Sequence, residues 1–391
     1  MQSGTYAGSS YHTARKPVAR SAARAGELDY TILMVVVILA LIGVVMVFSS
    51  SYATAMTRQN DAYYYLKKQG AFFFAGLAAM MLMANFDYHY LRRWAFAVYI
   101  CSNALLVLVL IIGISSHGAT RWIPLPLIGQ FQPSEVAKAG VIFFISFLIS
   151  FKRDILLKWP TFLMVCALVG LTSGLVFLGN NMSTAIIVLI IGVGVIFMAC
   201  PYIIRFVVVG ATGVAGLVAF LALSSSSDNF RAGRFAAWLD PAKYAQDLGY
   251  QILQSLYAIA SGGMFGLGLG QSRQKTFLPE AHNDIIFSII CEELGLVGAA
   301  IVLLLFGVLI WRGVKVAIDA PDTFSSLVAI GIIILISSQV IINVAVVTNS
   351  IPNTGVPLPF ISYGGTSLMV AMGLIGVLLN ISRHSKKEAL L

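Results

Sequence analysis

Residues 30–50, YTILMVVVILALIGVVMVFSS, decide the fold class of this chain. The stretch contains no Asp, Glu, Lys or Arg. About 20 residues of apolar helix are enough to cross the hydrocarbon core of a lipid bilayer. We therefore expect a transmembrane helix here.

The composition extends that expectation to the whole chain. Of 391 residues, 59% are hydrophobic and 10% are charged, whereas soluble domains carry about 25% charged residues. A folded monomer in water also needs a polar exterior. The composition therefore excludes a soluble globular protein and makes the bilayer the solvent.

Apolar runs like the first recur along the chain and predict an all-α polytopic membrane protein. We identify ten candidate spans, with approximate limits 30–50, 70–86, 95–114, 134–151, 160–178, 183–200, 203–223, 284–311, 323–348 and 364–381. An even number of spans puts both termini on one side of the membrane.

The distribution of charge sets the orientation. The formal net charge is +9, and Lys and Arg dominate the short loops on the side of the termini. Basic loops remain cytoplasmic beside anionic lipid, which predicts an N-in, C-in topology. We accordingly expect membrane lipids, and not nucleic acid, around this chain. The predicted parts are a disordered basic tail (1–27), a single membrane domain (28–382) with an external loop at about 224–283, and a C-terminal tail (383–391).

Three segments on the outer side have distinct patterns. Polar residues at helical spacing predict a short interfacial or re-entrant helix from Tyr250 to Ala260. The glycine-rich stretch 262–270 lacks a nucleotide-loop context and is interpreted as a turn that allows close backbone approach. The proline-rich stretch 352–360 predicts an ordered hairpin rather than a helix.

Glu135 and Lys138 are ionisable residues at the outer start of the fourth span. Pro133 suits a first helical position, so Glu135 would lie in the first turn, where a negative charge is stabilised. Residues three apart share a helix face and can pair. The pair is either a structural ion pair or a lining of a cavity that orients a charged substrate.

Asp284 stands at the outer start of the eighth span, in the run Pro279-Glu280-Ala281-His282-Asn283-Asp284. One interpretation makes Asn283 or Asp284 a helix N-cap. The other makes Asp284 a general base at the outer membrane surface. Glu292 and Glu293 lie two turns deeper on the same run, where we expect them to pair with an Arg or Lys from the cytoplasmic side.

Ordered motifs occur along the chain: 117–123, Phe131-Gln132-Pro133-Ser134-Glu135 with Lys138, Asp240-Pro241, Gly249-Tyr250-Gln251 with Gln254-Ser255, Leu278–Asp284, Glu292-Glu293-Leu294-Gly295 and 357–365. They resemble those of the SEDS family (shape, elongation, division and sporulation). The run Ser272-Arg273-Gln274-Lys275 before Phe277 is most like the FtsW-type cell-division branch of that family, or its sporulation relative. The resemblance implies a peptidoglycan glycosyltransferase that polymerises lipid II at the outer face of the bacterial cytoplasmic membrane during cell division or sporulation. Asp284 matches the essential acidic residue of the family, and Glu135 and Lys138 match its functionally important ion pair.

Further roles follow from the same resemblance. Arg121, Gln254, His282 and Ser362 are candidates to bind substrate or line the cavity. The external residues Arg231, Arg234 and Lys275 are candidates to bind pyrophosphate, unless they are solvated or bind headgroups. A divalent metal, Mg or Mn, would supplement them, and no organic cofactor is expected. The expected partners are lipid II, a class B penicillin-binding transpeptidase and divisome proteins.

Two other functions compete with the polymerase. A transporter of lipid-linked precursor also has many spans and intramembrane charges, and it would need polar residues through the whole membrane. A scaffold that recruits a penicillin-binding protein would tolerate loss of Asp284. A polymerase needs its polar residues at the outer end.

Overall fold

The computed structural model describes residues 28–116, 119–125, 129–223, 233, 236–246 and 249–384. The predicted tail 1–27 and residues 385–391 lie outside the described residues, as do Arg231 and Arg234.

The described residues form a bundle of long helices. These are α1 (Tyr30–Gln59), α2 (Tyr64–Asn85), α3 (Tyr88–Ile112), α4 (Pro133–Phe151), α5 (Trp159–Leu178), α6 (Met182–Ala199), α7 (Ile203–Leu223), the shorter α8 (Tyr250–Gly262), α9 (Ile286–Asp319), α10 (Thr323–Val347) and α11 (Gly365–Arg383). Eight helices in the described part of the chain are long and apolar enough to cross a membrane: α1, α3, α4, α5, α6, α9, α10 and α11. The polytopic all-α prediction is confirmed, and each of the ten predicted spans coincides with one long helix.

Both ends of the membrane domain meet at one end of the bundle. Arg312 of α9 donates to the Asp29 carboxylate at 2.6 Å, and the Asp29 N–H donates to the Ser382 hydroxyl at 3.3 Å. Nearby, the buried Asn380 amide donates to the Ala84 carbonyl at 2.9 Å and accepts from the Tyr88 N–H at 3.2 Å. These contacts join the start of α1 to the end of α11 and therefore confirm that both lie on the same side.

The opposite end carries the connections that the sequence assigns to the outside. A small antiparallel sheet of β1 (Ile114–Ser116), β2 (Ala119–Leu125) and β3 (Gly129–Phe131) links α3 to α4. The sequence patterns did not predict these strands. The helix expected from Tyr250 to Ala260 is present as α8. The proline-rich stretch 352–360 is not helical, as expected, but it forms no strands either.

Helix α9 is broken at Gly295, whose backbone angles are φ 66° and ψ −171°. The break would leave carbonyl and N–H groups of both halves unpaired, which is costly near a membrane. The glycine-rich segment 263–268 pairs with them through four hydrogen bonds: Leu267 N to Glu292 O (2.9 Å), Gly268 N to Glu293 O (3.0 Å), Leu296 N to Gly263 O (2.9 Å) and Val297 N to Met264 O (3.1 Å). The segment therefore supplies hydrogen-bond partners for the backbone groups on both sides of the break.

The close approach of the two backbones requires glycine. A Cβ on Gly295 would lie 2.3 Å from the Gly266 nitrogen, and a Cβ on Gly266 would lie 2.2 Å from the Glu293 carbonyl oxygen. The interpretation of stretch 262–270 as a turn that permits close backbone approach is confirmed.

We expect Gly295→Ala to lower the free energy of unfolding by at least about 2 kcal/mol, because its backbone region is almost exclusive to glycine. Gly307→Ala, in the same helix with no atom within 4 Å of the new Cβ, should be neutral or slightly stabilising. Melting temperatures of both variants in detergent provide the measurement. Equal melting temperatures would mean that the glycine segment does not dock on α9.

Candidate active site

Asp284 lies in the turn that precedes α9 and is half-buried. Its carbonyl accepts a hydrogen bond of 2.6 Å from the Asn343 side chain of α10. The segment between α10 and α11 passes next to its carboxylate, since a Cβ on Gly355 would lie 3.3 Å from Oδ2. The N-cap of α9 is Ile285, so the interpretation of Asn283 or Asp284 as the N-cap is wrong. The chain turns once more before the helix begins.

Glu135 and Lys138 form the predicted pair. Pro133 opens α4 and Glu135 lies in its first turn. Lys138 Nζ lies 2.8 Å from the Glu135 carboxylate, and the side chains are only 2% and 7% exposed. Ser367 in the first turn of α11 donates to the same carboxylate at 3.3 Å. The ion pair therefore connects α4 to α11 at the outer end of the bundle.

His282 is buried in an aromatic cluster two residues before Asp284. Its ring lies 4.4 Å from that of Tyr65 and 5.4 Å from that of Tyr363, measured between centroids. Its carbonyl accepts from the Tyr363 N–H at 2.9 Å. Burial lowers the pKa of His282 to about 4, against the opposing charge of Glu280. The imidazole is therefore neutral at physiological pH.

This pKa predicts a pH dependence of stability. In the unfolded chain the pKa of His282 is about 6.5, so below that pH the unfolded state binds a proton that the folded state rejects. Stability should fall by about 2 kcal/mol between pH 7 and pH 5. Melting temperatures of the parent and of His282→Gln over this range test it. A slope that is equally steep in both proteins would contradict the assignment.

Ser362 is buried, and its hydroxyl and its carbonyl each accept a hydrogen bond. Its hydroxyl accepts from the Leu358 N–H at 2.8 Å, and its carbonyl accepts from the Gln69 amide at 3.4 Å. Ser362 thus shapes the turn before α11 and ties it to α2.

Gln254 and Arg121 occupy two other outer elements. Gln254 is half-buried on α8, next to Ser255, whose hydroxyl donates to the Val347 carbonyl of α10 at 3.0 Å. Arg121 on β2 donates to the Asn180 carbonyl at 2.7 Å, in the turn between α5 and α6. The structure thus places Arg121 against that turn, and Gln254 on the helix that packs on the end of α10.

Glu292 and Glu293 are buried, but the prediction that they pair with an Arg or Lys from the cytoplasmic side is wrong. Glu292 accepts from the Ser272 hydroxyl and from the Arg273 N–H, the latter at 3.0 Å. Glu293 accepts from the Ser49 hydroxyl of α1 at 2.6 Å. The break at Gly295 explains the difference. Both glutamates precede the break and therefore lie in the outer half of α9, where they contact Ser272 and Arg273 of the external loop.

Lys275 is partly exposed and lies next to the buried glutamates. Its ammonium lies 3.6 Å from the Glu293 carboxylate and donates to the Gly270 carbonyl at 2.6 Å. Its candidate role in binding pyrophosphate stays a prediction, and any anionic ligand would share the ammonium with Glu293. The other two candidates for that role, Arg231 and Arg234, lie outside the described residues.

Two polar contacts at the outer end of the bundle are not predicted from the sequence. One is Asn343, which lies inside an apolar span, and an amide in such a place is itself a signal of a functional or packing role. The other is the pair Gln251 and Asn353, joined at 2.7 Å between α8 and the segment before α11. Nothing in the spacing of these two residues indicates that they meet.

The side chains that could ligate a metal ion do not cluster among the described residues. No three His, Cys, Asp or Glu side chains converge as metal ligands in the part of the chain that the structure describes.

Comparison with known proteins identifies the family. The family model for FtsW, RodA and SpoVE, described as cell cycle protein, matches residues 29–387. Stage V sporulation protein E of Bacillus subtilis is 40% identical over 92% of this chain and 98% of its own length. A probable peptidoglycan glycosyltransferase FtsW of Geobacter sp. (strain M18) is 36% identical over the same shares.

Solved structures show the same fold. A chain from a study of the structural coordination of polymerization and crosslinking by a peptidoglycan synthase complex has a TM-score of 0.76 and 27% identity, over 92% of this chain and 99% of its own. The rod shape determining protein RodA of Thermus thermophilus has a TM-score of 0.68 and 25% identity, over 92% and 98%. This chain therefore belongs to the FtsW, RodA and SpoVE family of cell cycle proteins and is a multi-pass protein of the bacterial cytoplasmic membrane.

Proposed function

We propose that this chain is a peptidoglycan glycosyltransferase that polymerises lipid II at the outer face of the membrane, with Asp284 as the general base. The placement of Asp284 carries the proposal. It is a half-buried carboxylate at the outer end of the bundle, fixed between α9, α10 and the segment before α11. The names of the relatives, which include a peptidoglycan glycosyltransferase and a sporulation protein, support the same activity in division or sporulation.

Glycosyl transfer between two lipid-linked sugars needs a general base and positive charge near the leaving group. A sugar 4-hydroxyl attacks the anomeric carbon of a second lipid-linked sugar, and the bond from that carbon to the lipid pyrophosphate breaks. Asp284 takes the hydroxyl proton as the new glycosidic bond forms. The pyrophosphate leaves with the bonding electrons and requires positive charge around it.

The remaining residues support this centre. Glu135 and Lys138 shape the cavity wall between α4 and α11. External cations such as Lys275 stabilise the leaving pyrophosphate. A divalent ion, Mg or Mn, is a supplementary proposal: Mg often binds through one or two carboxylates together with substrate phosphates, which needs no cage of three protein ligands.

The proposed partner is a class B penicillin-binding transpeptidase, together with other divisome proteins. Polymer strands must be crosslinked after they are made, which gives the two activities a reason to be coupled. The similar solved chain comes from a complex that is described as coordinating polymerization with crosslinking.

The test is direct polymerisation. The purified protein, with its candidate transpeptidase, receives labelled lipid II with and without divalent metal, and the products are resolved on a gel. A ladder of glycan strands is expected. If a folded protein makes no ladder under any of these conditions but accelerates movement of lipid II across vesicle bilayers, the transporter replaces the polymerase.

A further inference from the structure

We infer that Asn343 is a positioning residue: it fixes the backbone of Asp284 and thereby aims the carboxylate at the acceptor hydroxyl. The inference rests on the proposed function of Asp284. Asn343 lies in α10, near its outer end, and is 1% exposed.

The two donors of one amide group join two separate segments. Asn343 Nδ2 donates to the Asp284 carbonyl at 2.6 Å and to the Val356 carbonyl at 2.8 Å. An amide NH₂ has two N–H groups, so both are used. The turn before α9 and the segment before α11 are therefore held by a single side chain.

The Asp284 carbonyl lies just before the first turn of α9. The N–H of Ser288, which would reach Asp284 in a continuing helix, donates to the Ile285 carbonyl at 3.0 Å instead. A buried carbonyl without a partner costs about 1–3 kcal/mol. Asn343 thus supplies a hydrogen bond to this carbonyl from a different helix, α10.

The same side chain sets the position of the carboxylate. Val356 follows Gly355, whose Cβ position lies 3.3 Å from Asp284 Oδ2. Fixing the Asp284 and Val356 carbonyls to one amide therefore fixes the distance between the carboxylate and the backbone that passes it. Reactions between positioned groups are sensitive to this geometry, and a misplacement of about 1 Å can cost a hundredfold in rate.

A buried asparagine could instead serve stability alone, and the protein contains a matched example. Asn380 is 2% exposed and donates to the Ala84 carbonyl at 2.9 Å at the opposite end of the bundle. It also joins two segments, but far along the bundle from Asp284. The two residues therefore separate an effect on folding from an effect on catalysis.

The experiment compares Asn343→Leu with Asn380→Leu, since Leu keeps the approximate shape and removes both donors. Both variants should melt at lower temperature than the parent. Only Asn343→Leu should lower the kcat for lipid II polymerisation by folded protein, by about 10- to 100-fold, while KM changes less than about twofold. If Asn343→Leu does not fold, Asn343→Ser carries the test, because a hydroxyl has a single O–H and cannot donate to both carbonyls.

Polymerisation by the parent and by Asp284→Asn is measured in the same experiment. The comparison distinguishes failure of the positioning role of Asn343 from failure of the proposed function. An active parent, an inactive Asp284→Asn and a fully active Asn343→Leu would overturn the positioning role alone. The positioning role is likewise overturned if Asn380→Leu loses as much kcat as Asn343→Leu. A parent without activity, or an active Asp284→Asn, would overturn the proposed function and this inference with it.

Discussion

Replacing Asp284 by Asn is expected to lower the rate of lipid II polymerisation by at least about a hundredfold, because a positioned general base contributes roughly 10²–10⁴ in rate. The amide keeps the size of the side chain and cannot accept the hydroxyl proton. The measurement is the amount of glycan ladder formed per minute by equal amounts of folded protein.

Glu280→Gln is the matched control for this variant. Glu280 lies in the same turn, and its carboxylate accepts from the Asn283 amide at 2.8 Å. Its replacement removes one negative charge from the same region without touching the proposed base. Asp284→Asn with parental activity would exclude a general base at this position. Equal losses in both variants would assign the effect to the charge of the turn.

The second large effect is expected at the buried ion pair. Lys138→Met leaves the Glu135 carboxylate buried without its cation, and such a change costs about 3–5 kcal/mol. The double variant Glu135→Gln with Lys138→Met removes both charges and should recover most of that loss. Melting temperatures in detergent of the parent, the single and the double variants provide the measurement.

The double variant also decides between the two interpretations of the pair. Recovery of both stability and polymerisation would make it a structural ion pair. Recovery of stability without polymerisation would place its charges in the substrate cavity. If the single variant melts like the parent, the carboxylate is not buried as the structure describes.

The sequence predicts those features that depend on local chemistry. Long apolar runs located the helices, because a helix of about 20 residues crosses a membrane with all its backbone groups paired within the segment. Pro133 and the spacing of Glu135 and Lys138 predicted a helix start with an ion pair, and both partners belong to one helical turn. Helices extend beyond the apolar runs, as α1 does to Gln59, because polar residues at the membrane surface do not end a helix.

Features that depend on distant segments could not be predicted in this way. The pairing of segment 263–268 with α9 joins two stretches whose own sequences do not indicate each other. The missed break at Gly295 then produced the wrong partner for Glu292 and Glu293, since a continuous helix would carry them into the membrane. Asn343 was missed for the same reason: its two acceptors, Asp284 and Val356, come from elsewhere in the chain.

The break in α9 also bears on how the protein matches the thickness of its membrane. A helix of 34 residues is about 51 Å long, and the hydrocarbon core measures roughly 30 Å. Helices with such an excess usually tilt, kink or thicken the bilayer around them. Here the break leaves residues 296–319, about 36 Å, which are long enough to cross the core without the outer part of the helix. The kink at Gly295 thus accommodates the excess length, and α9 needs neither a strong tilt nor a deformed bilayer.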